Sequence, residues 1–457
     1  MARETWIVTA AVVAPATRFH FHSTFTKNPR RNKSSRQLRR FFPRMGKHPM
    51  KLRYPLPLLA ATAWIALLTL LHGTASRAQA QNYAFTRITD STGAFSILNR
   101  PAIAPNGTLV LHASQGNMQH IVTGNGGPLT IIADNSASGP YLGFGDALIN
   151  GAGTIAFIAG RRTGGLSFFA VNGATTTTIA STVGAGGPFT SISLPSGADL
   201  NDSGTVAFGG EVFNGPQGIF AGSGGPTVTI ADSNGPLSTF FATVSINDAG
   251  TVAFRAELDG GGAGIFAGNG GGLTTIADSN SAFDANFSSP AINASGTVAF
   301  AAGLDAGGGG IFTGSGSVTL TLADTSGPFG NFFTGQLISI NASGTVLFPA
   351  ALDSGVQGIF VGPNPATDKV IALGDALDGS TVTFLGFGSN ALNDAGQIGF
   401  VAALQDGRTA VFRADIIPEP SSAALLALSI LLGASLLLWR RIQTSPPSAQ
   451  TSARSKS

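Results

Sequence analysis

Hydrophobic and polar residues alternate with a period of two through most of the chain between residues 81 and 416. A clear example follows Gly250, where Val252, Phe254 and Ala256 alternate with Thr, Ala and Arg. A period of two is typical of a β-strand with one buried face. Glycine-rich bends separate the alternating segments, so each stretch of about 46 residues is expected to form four short antiparallel strands joined by hairpin-sized links.

The alternating unit occurs seven times. An Asn-x-x-Gly-Thr-Val-Ala-Phe element begins at Asn150, Asn201, Asn247, Asn293, Asn341 and Asn393, and a degenerate copy begins at Ala104. Its glycines, spaced 46 to 52 residues apart, are Gly107, Gly153, Gly204, Gly250, Gly296, Gly344 and Gly396. Asn followed three residues later by Gly predicts a tight turn, in which the Asn side chain caps the local backbone and Gly takes a positive φ. A phenylalanine recurs once per full repeat and is expected to pack in the core, at Phe157, Phe208, Phe254, Phe300, Phe348 and Phe400.

Seven four-stranded sheets fit an all-β, seven-bladed β-propeller, with a β-solenoid or stacked sandwiches as the alternatives. The body opens with FTRITD at residues 85–90, which matches the fourth strand of a unit. Its last unit ends after TAVFRA at residues 409–414 and has no fourth strand. We therefore expect residues 85–90 to complete the last sheet, so that the closed ring has no open edge. The longer link in each unit, such as residues 232–244, is expected to be the step between sheets.

The repeats resemble the NxxGxxxAF tandem-repeat family of exported bacterial proteins, which carry varied C-terminal anchors. The resemblance covers nearly all of residues 84–415. It implies an exported protein of the choice-of-anchor type, and it implies no catalytic residue.

Residues 50–80 have the pattern of a secretory signal peptide, a segment that signal peptidase removes. Lys51 and Arg53 precede an apolar run at residues 56–71, and Ala78-Gln79-Ala80 ends the segment. We expect cleavage between Ala80 and Gln81, the alternative being a buried hydrophobic helix.

Residues 1–49 form a basic preface with a single acid, Glu4. We interpret this preface as an extension from a start codon assigned too early, with Met45 or Met50 as the true start. A transit peptide is the alternative.

The C-terminal segment, residues 417–441, combines a short motif, an apolar stretch and a basic pair. Pro418-Glu419-Pro420 precedes 19 uncharged residues at 421–439, and Arg440-Arg441 follows them. Nineteen helical residues at about 1.5 Å each span a hydrocarbon core of roughly 30 Å, which predicts a transmembrane helix. The basic pair places the C-terminus in the cytoplasm and the body outside it.

This arrangement resembles the PEP-CTERM sorting signal of Gram-negative bacteria. The resemblance implies a temporary hold in the inner membrane, processing by an exosortase, and a host that makes extracellular polysaccharide. The Ser/Pro-rich tail at residues 442–457 departs from the family, which ends just after its basic residues, and is expected to be disordered. A permanent anchor that is never cut is the alternative.

Charge and composition exclude several functions. The chain carries a formal charge of +3, but residues 81–417 hold eight basic and 21 acidic residues, so the charge of the body is −13. A body this acidic is not expected to bind nucleic acid. The absence of cysteine excludes disulfides, thiolate metal sites and a Cys nucleophile. His112 and His120 are the body's two histidines, and we expect them to have surface or packing roles.

The body's acids do not form an evident catalytic or metal motif. Glu211 and Glu257 lie at equivalent positions of adjacent repeats, which argues against a glycosidase pair. The glycine runs at residues 268–272 and 307–310 lack the Lys-Ser/Thr of a phosphate loop. The repeated aspartates are single and widely spaced, unlike the ligands of a calcium loop, so we expect them to cap turns: Asp202, Asp248, Asp394, Asp232, Asp278 and Asp324.

The sequence therefore predicts an exported, membrane-tethered surface or matrix protein with a binding or structural role, no catalytic residue, no cofactor and no metal. Exopolysaccharide, a surface protein or bridging cations are its expected partners. The alternative is a polysaccharide-active enzyme on a β-propeller. Convergent, non-repeated acids or a histidine in the central channel would favour the enzyme, whereas small and apolar lining residues would favour display.

Overall fold

The computed structural model describes residues 82–192, 197–316 and 318–417, together with Leu431 and Ser435. The chain divides into two units, residues 1–75 and 76–457, and the description belongs entirely to the second. In the described residues the structure contains no helix with the length and hydropathy that a bilayer crossing requires.

Several predicted segments lie outside the described residues. These are the preface at 1–49, the signal peptide at 50–80 with its cleavage residues Ala78, Ala80 and Gln81, the Pro418-Glu419-Pro420 motif, nearly all of the apolar segment, the Arg440-Arg441 pair and the tail at 442–457.

The described residues form seven antiparallel sheets, which we number as blades in chain order. Blade 1 comprises β2 (Ile97–Leu98), β3 (Ala102–Ile103), β4 (Leu109–Gln115), β5 (Met118–Gly124) and β6 (Thr130–Asp134). Blade 2 comprises β7 (Tyr141–Ile149), β8 (Ile155–Arg161), β9 (Leu166–Asn172) and β10 (Thr175–Ser181), and a short 3₁₀ turn follows at Val183–Ala185. Blade 3 comprises β11 (Phe189–Ile192), β12 (Asp199–Leu200), β13 (Val206–Val212), β14 (Gln217–Gly222) and β15 (Val228–Asp232).

The remaining blades repeat this order. Blade 4 comprises β16 (Leu237–Ile246), β17 (Val252–Leu258), β18 (Ala263–Gly268) and β19 (Thr274–Asp278). Blade 5 comprises β20 (Phe283–Phe287), β21 (Ala291–Ile292), β22 (Val298–Leu304), β23 (Gly309–Gly314) and β24 (Thr319–Asp324). Blade 6 comprises β25 (Phe329–Phe332), β26 (Ser339–Ile340), β27 (Val346–Leu352), β28 (Gln357–Phe360) and β29 (Lys369–Ala372). Blade 7 comprises β30 (Ala376–Leu377), β31 (Ser380–Gly386), β32 (Ile398–Leu404), β33 (Thr409–Ile416) and β1 (Tyr83–Asp90).

The last blade takes its outer strand from the beginning of the body. β1 pairs antiparallel with β33, with Phe85 opposite Ala414 and Asp90 opposite Ala410. The predicted closure is therefore confirmed, and the protein is an all-β, seven-bladed β-propeller. Because β1 covers the free edge of β33, the last blade is complete. An open solenoid would leave such an edge unpaired.

The predicted link at residues 232–244 is largely strand, which corrects the sequence interpretation. β16 begins at Leu237, and its pairing with β17 shifts between Phe240 and Val244 because extra residues are taken up as a bulge. Phe240 is buried against Phe254, with ring centroids 6.0 Å apart. Phe240 thus belongs to the hydrophobic core.

The core lies between neighbouring blades. One buried cluster, for example, joins Ala253 and Ile265 of blade 4 to Phe283 and Phe300 of blade 5. The six repeated phenylalanines are almost completely buried, as their periodicity predicted. Each contributes roughly 2–3 kcal/mol by burial relative to an exposed side chain.

Candidate binding site

A ring of asparagines connects the blades on the face that carries the repeat turns, which we call the turn face. In each case the Asn side chain donates from Nδ2 to the backbone carbonyl of the equivalent residue in the next blade. The donor–acceptor pairs are Asn150–Asn201 (2.9 Å), Asn201–Asn247 (3.1 Å), Asn247–Asn293 (3.2 Å), Asn293–Asn341 (3.1 Å), Asn341–Asn393 (3.3 Å) and Asn393–Ala104 (3.0 Å). Ala104 has no side-chain donor, so the step from blade 1 to blade 2 lacks this bond.

The same asparagines cap their own turns. Asn247 Oδ1 accepts the backbone N–H of Thr251 at 3.0 Å, and the other five asparagines make the same bond four residues ahead. In blade 1 the exposed Asn106 takes this role by accepting from Thr108 N at 3.0 Å. All seven repeat glycines have positive φ, between 76° and 84°. The repeat-turn residues therefore hold the ring together, and sequence reasoning found the cap but not the bond to the next blade.

The repeated aspartates accept backbone N–H groups. Asp202, Asp248 and Asp394 accept from the preceding blade, at 2.6, 2.8 and 2.7 Å respectively. Asp232, Asp278 and Asp324 accept from the residue two positions ahead, at 3.0, 3.0 and 2.9 Å. Within the described ranges no three His, Asp or Glu side chains form a group suited to a metal ion.

The remaining residues singled out in the sequence do not converge. In the strand register Glu211 lies opposite Ser191, and Glu257 lies opposite Thr239, so the two glutamates occupy equivalent positions of blades 3 and 4. His112 is buried near Phe144, and its Nδ1 lies 3.0 Å from Asn99 Nδ2; burial lowers the pKa of His112. His120 packs against Phe95, so both histidines have packing contacts.

The residues two positions before each turn Asn lie around the axis of the ring, where the innermost strands of neighbouring blades contact one another, and we assign them to the lining of the central channel. These lining residues are Ala102, Leu148, Asp199, Ser245, Ala291, Ser339 and Ala391. Six are small or apolar, and Asp199 is the one acid at this level of the described channel. Its position was not noticed in the sequence, although aligning the seven repeats on their glycines would have revealed it.

Asp199 is only 2% exposed, and burial raises the pKa of its carboxyl group. Its Oδ1 accepts from Leu200 N at 2.7 Å and from Asn390 Nδ2, across the ring in blade 7, at 2.6 Å. Its Oδ2 accepts from Ser245 Oγ at 3.0 Å and from Ile246 N at 2.9 Å. Four donors occupy the two oxygens, so Asp199 links the blades across the axis.

A cleft of about 220 Å³ opens between blades 6 and 7, on the face opposite the Asn turns, which we call the cleft face. Phe333, Phe384 and Phe387 provide aromatic walls, and Gln336, Gln357 and Thr383 provide polar groups. Phe384 is 51% exposed. In the aligned strands of four other blades, the corresponding positions hold Gly143, Ser191, Thr239 and Asn331, while blade 1 holds Ile97, which is 57% exposed. Blade 7 therefore has an exposed aromatic residue where four other blades have a small or polar one.

A glutamine also behaves differently at this cleft. Gln119 Oε1 accepts from Phe144 N in the next blade at 2.9 Å, and Gln217 Nε2 lies 3.4 Å from Phe240 O in the same relation. Gln357 occupies the equivalent position of blade 6 but lines the cleft instead. Among the described residues, its side chain has no hydrogen-bond partner. The glutamine that bridges blades elsewhere is therefore available to a ligand here.

The cleft adjoins the mouth of the central channel. Leu337 lines both the cleft and a small cavity of about 20 Å³ at the mouth, where Arg100 and Asp146 lie. Burial raises the pKa of Asp146 to about 6, against the opposing effects of Arg100 and a hydrogen bond from Asn99. A Cβ atom built on Gly386 would lie 3.4 Å from Arg100 Nε and 3.3 Å from Phe384 Cε1. Only a glycine separates the cleft's exposed ring from the guanidinium group at the mouth.

The described part of the body begins and ends at the turn face. β33 runs parallel to β31, because both are antiparallel to β32, and so it ends beside the Asn393 turn. Tyr83, Gly396 and Ile416 line one cavity there, and Ile417 N donates to Asn82 O at 2.9 Å. The chain therefore leaves the propeller on the face opposite the cleft.

Comparison with known proteins gives a family match and distant structural likenesses. A model of a family of unknown function, DUF7453, matches residues 200–425. No curated protein matches the chain significantly. A puromycin-hydrolyzing peptidase of Mycobacterium tuberculosis has a TM-score of 0.46 at 11% identity, over 71% of this chain and 53% of the peptidase. The chain thus spans about half the length of that protein.

Two other solved structures are similar at the same level. The polysaccharide lyase Uly1 has a TM-score of 0.40 at 8% identity, over 68% of this chain and 88% of the lyase. The BP39L lectin of Burkholderia pseudomallei has a TM-score of 0.39 at 12% identity, over 73% of this chain and 95% of the lectin. Likenesses this distant do not decide activity or ligand.

Proposed function

We propose that this chain is an exported, surface-displayed binding module that holds a sugar-type ligand in the cleft between blades 6 and 7. The observation that carries the proposal is the exposed ring of Phe384 in the wall of a cleft, at a position where four other blades have small or polar residues. Exposure alone does not mark a site, because single exposed hydrophobic residues such as Phe213 are common on protein surfaces. Phe384 differs from Phe213 because its ring lines a concave cleft together with polar groups, which is the arrangement typical of ligand sites.

The lining of the cleft suits a ring with one apolar face and hydroxyl groups at its edge. Aromatic walls offer a flat stacking surface, and Gln336, Gln357 and Thr383 offer donors and acceptors. Its volume of about 220 Å³ lies below the roughly 300–1,000 Å³ of sites for drug-sized ligands. We therefore expect the cleft to take one sugar ring of a longer chain, with the rest of the polymer outside.

The proposed display follows from the two ends of the chain. Signal peptidase would release the body at Ala80–Gln81, and the segment from Pro418 to Arg441 would hold it at the inner membrane until an exosortase acts. Because the described body ends at the turn face, a tether beyond Ile417 leaves the cleft face directed away from the membrane. Host exopolysaccharide is then the ligand that we expect the displayed cleft to bind.

An enzyme acting on polysaccharide is the second candidate, because Asp146 and Asp199 are non-repeated acids near the axis. Glycoside hydrolysis generally uses two carboxyl groups that flank the reacting bond. Asp199 is buried and accepts four hydrogen bonds, so it is not exposed to a substrate. Binding without cleavage is the better-supported function.

The test is binding of the full chain, purified in mild detergent, to the host's own exopolysaccharide, with new reducing ends assayed in parallel. We expect saturable binding and no product. Phe384→Ser, which copies Ser191 of blade 3, should weaken binding about tenfold or more, since stacking on an aromatic ring is lost. Phe213→Ser is the matched control because Phe213 is 56% exposed and does not line the cleft. Depolymerisation, or equal effects of the two substitutions, would contradict the proposal.

A further inference from the structure

We propose that the channel mouth provides an anion subsite in which Arg100 binds a carboxylate of the ligand, so that the site selects an acidic, uronate-containing polysaccharide. This inference rests on the proposed function of the cleft and names its ligand class. It concerns a residue of blade 1 that neither the repeat pattern nor the ring of asparagines requires.

Arg100 is the uncommitted cation of the body. Among the eight basic residues of the described ranges, it is the one without a hydrogen bond, an ion pair within 4.0 Å or a ring contact, and its electrostatic interaction is with Asp146. Arg87, Lys369, Arg408 and Arg413 form ion pairs with aspartates. Arg162 and Arg255 donate to backbone carbonyls, and Arg161 lies over the ring of Phe169 at 5.8 Å. The N–H donors of the Arg100 guanidinium group are therefore free to bind an anion.

The position of Arg100 matches the cleft. Gly386 contributes backbone to the cleft wall and lies close to both groups, since a Cβ atom built on it would be 3.4 Å from Arg100 Nε and 3.3 Å from Phe384 Cε1. A sugar stacked on Phe384 would therefore extend its edge towards Arg100. A carboxylate on that edge would receive the parallel N–H groups of the guanidinium fork, which a hydroxyl group uses less well.

Asp146 sets the charge balance at the mouth. It is close enough for Arg100 to oppose the rise in its pKa, yet the two side chains do not form an ion pair within 4.0 Å in the described structure. The guanidinium N–H groups consequently stay available. A negative Asp146 also repels an incoming carboxylate, so the two residues should affect acidic ligands in opposite directions.

The acidity of the body does not exclude an anionic ligand. None of the residues that line the cleft is charged. Exposed charges further away than about 8 Å are largely screened at physiological ionic strength. Arg100 and Asp146 therefore determine the local field at the mouth more than the distributed charge of −13 does.

The experiment is calorimetric titration of the full chain in mild detergent at about 0.15 M salt, pH 7.5. The probes are tetrasaccharides of galacturonate, glucuronate and mannuronate, each paired with its carboxyl-reduced counterpart. We expect at least one acidic tetrasaccharide to bind about ten- to hundredfold more tightly than its reduced counterpart, the range for a charge-assisted hydrogen-bond pair. Arg100→Gln should abolish that preference, Arg100→Lys should keep part of it, and Asp146→Asn should increase it.

Two controls separate the possible failures. Arg161→Gln removes the same charge from blade 2 and should leave the preference unchanged, which distinguishes a local contact from a change in net charge. Phe384→Ser should weaken both members of each pair equally. If reduced tetrasaccharides bind through Phe384 while Arg100→Gln has no effect on acidic ones, the anion subsite is wrong and the cleft survives. If no tetrasaccharide binds the unaltered chain, both proposals are wrong.

Discussion

The turn face and the cleft face of this propeller are built on different principles. On the turn face one arrangement is used six times, with an Asn that caps its own turn and donates to the next blade. On the cleft face the blades differ, and Phe384, Gln357 and Arg100 each depart from what their neighbours do. Repetition on the turn face therefore marks residues that hold the ring together, and departures on the cleft face mark residues available for binding. Buried Asp199 is a departure of a different kind, because it joins blades across the axis.

The largest expected effect comes from a substitution that removes one asparagine of the ring on the turn face. Asn247→Ala removes the donor to Asn293 O and the cap on Thr251 N, and leaves buried polar groups without partners. We expect a loss of about 2–4 kcal/mol in the free energy of unfolding, measured by urea denaturation of the purified chain. Asn106→Ala removes only a cap on an exposed turn and should cost about 1 kcal/mol or less. Equal losses from the two substitutions would mean that the contact between blades contributes nothing.

A smaller effect should appear in the pH dependence of the free energy of unfolding, to which Asp146 at the channel mouth contributes. The pKa of Asp146 is raised from 3.8 to about 6, so the folded state holds a proton that the unfolded state releases. Its contribution to stability is complete below about pH 4 and decreases as pH rises to about 6, by roughly 2–3 kcal/mol in total. Asp146→Asn should remove that part of the slope, as measured by urea denaturation between pH 4 and pH 7.

Asp199 provides the control for that experiment, because burial raises its pKa as well and its share of the slope should remain in the Asp146 variant. Identical slopes for the unaltered chain and Asp146→Asn would show that the carboxyl group at the mouth is not buried as described.

The smallest expected effect comes from repairing the turn face. Ala104→Asn supplies the donor missing between blades 1 and 2, with Asn150 O as its intended acceptor. We expect a gain of up to about 1 kcal/mol, the net value of one hydrogen bond, seen as a higher urea midpoint at an unchanged slope. Ala104→Leu adds volume at the same buried position without a donor and should lower the midpoint. A gain from both substitutions would point to packing alone.

Local patterns predicted the parts of the structure that depend on local chemistry. The repeat element predicted seven turns with a positive-φ Gly, six of them with a capping Asn, and FTRITD at residues 85–90 predicted ring closure. The link at 232–244 was misread because a bulge breaks the alternation while the chain stays paired. The corresponding strand of blade 7, β31, also has a bulge. This bulge shifts the register, so the position of Phe384 relative to other blades cannot be found from the alternation.

Contacts across the ring could not be predicted from the sequence for a different reason. Asp199 and Asn390 are 191 positions apart, and they meet only because the inner strands of blades 3 and 7 face each other across a narrow channel. Arg100 likewise approaches Phe384 only after closure brings blade 1 beside blade 7. Sequence spacing carries no information about such pairs, whereas aligning the repeats on their glycines would have identified Asp199 as an exception.

The most direct test of the division between the faces measures affinity and stability on the same two variants. Affinity for host exopolysaccharide and the urea midpoint would be determined for Phe384→Ser and for Asn247→Ala under conditions in which both are folded. We predict that Phe384→Ser loses affinity and keeps its midpoint, while Asn247→Ala lowers the midpoint and keeps its affinity. The account is contradicted if Phe384→Ser binds like the unaltered chain, or if both variants lose affinity in proportion to their stability.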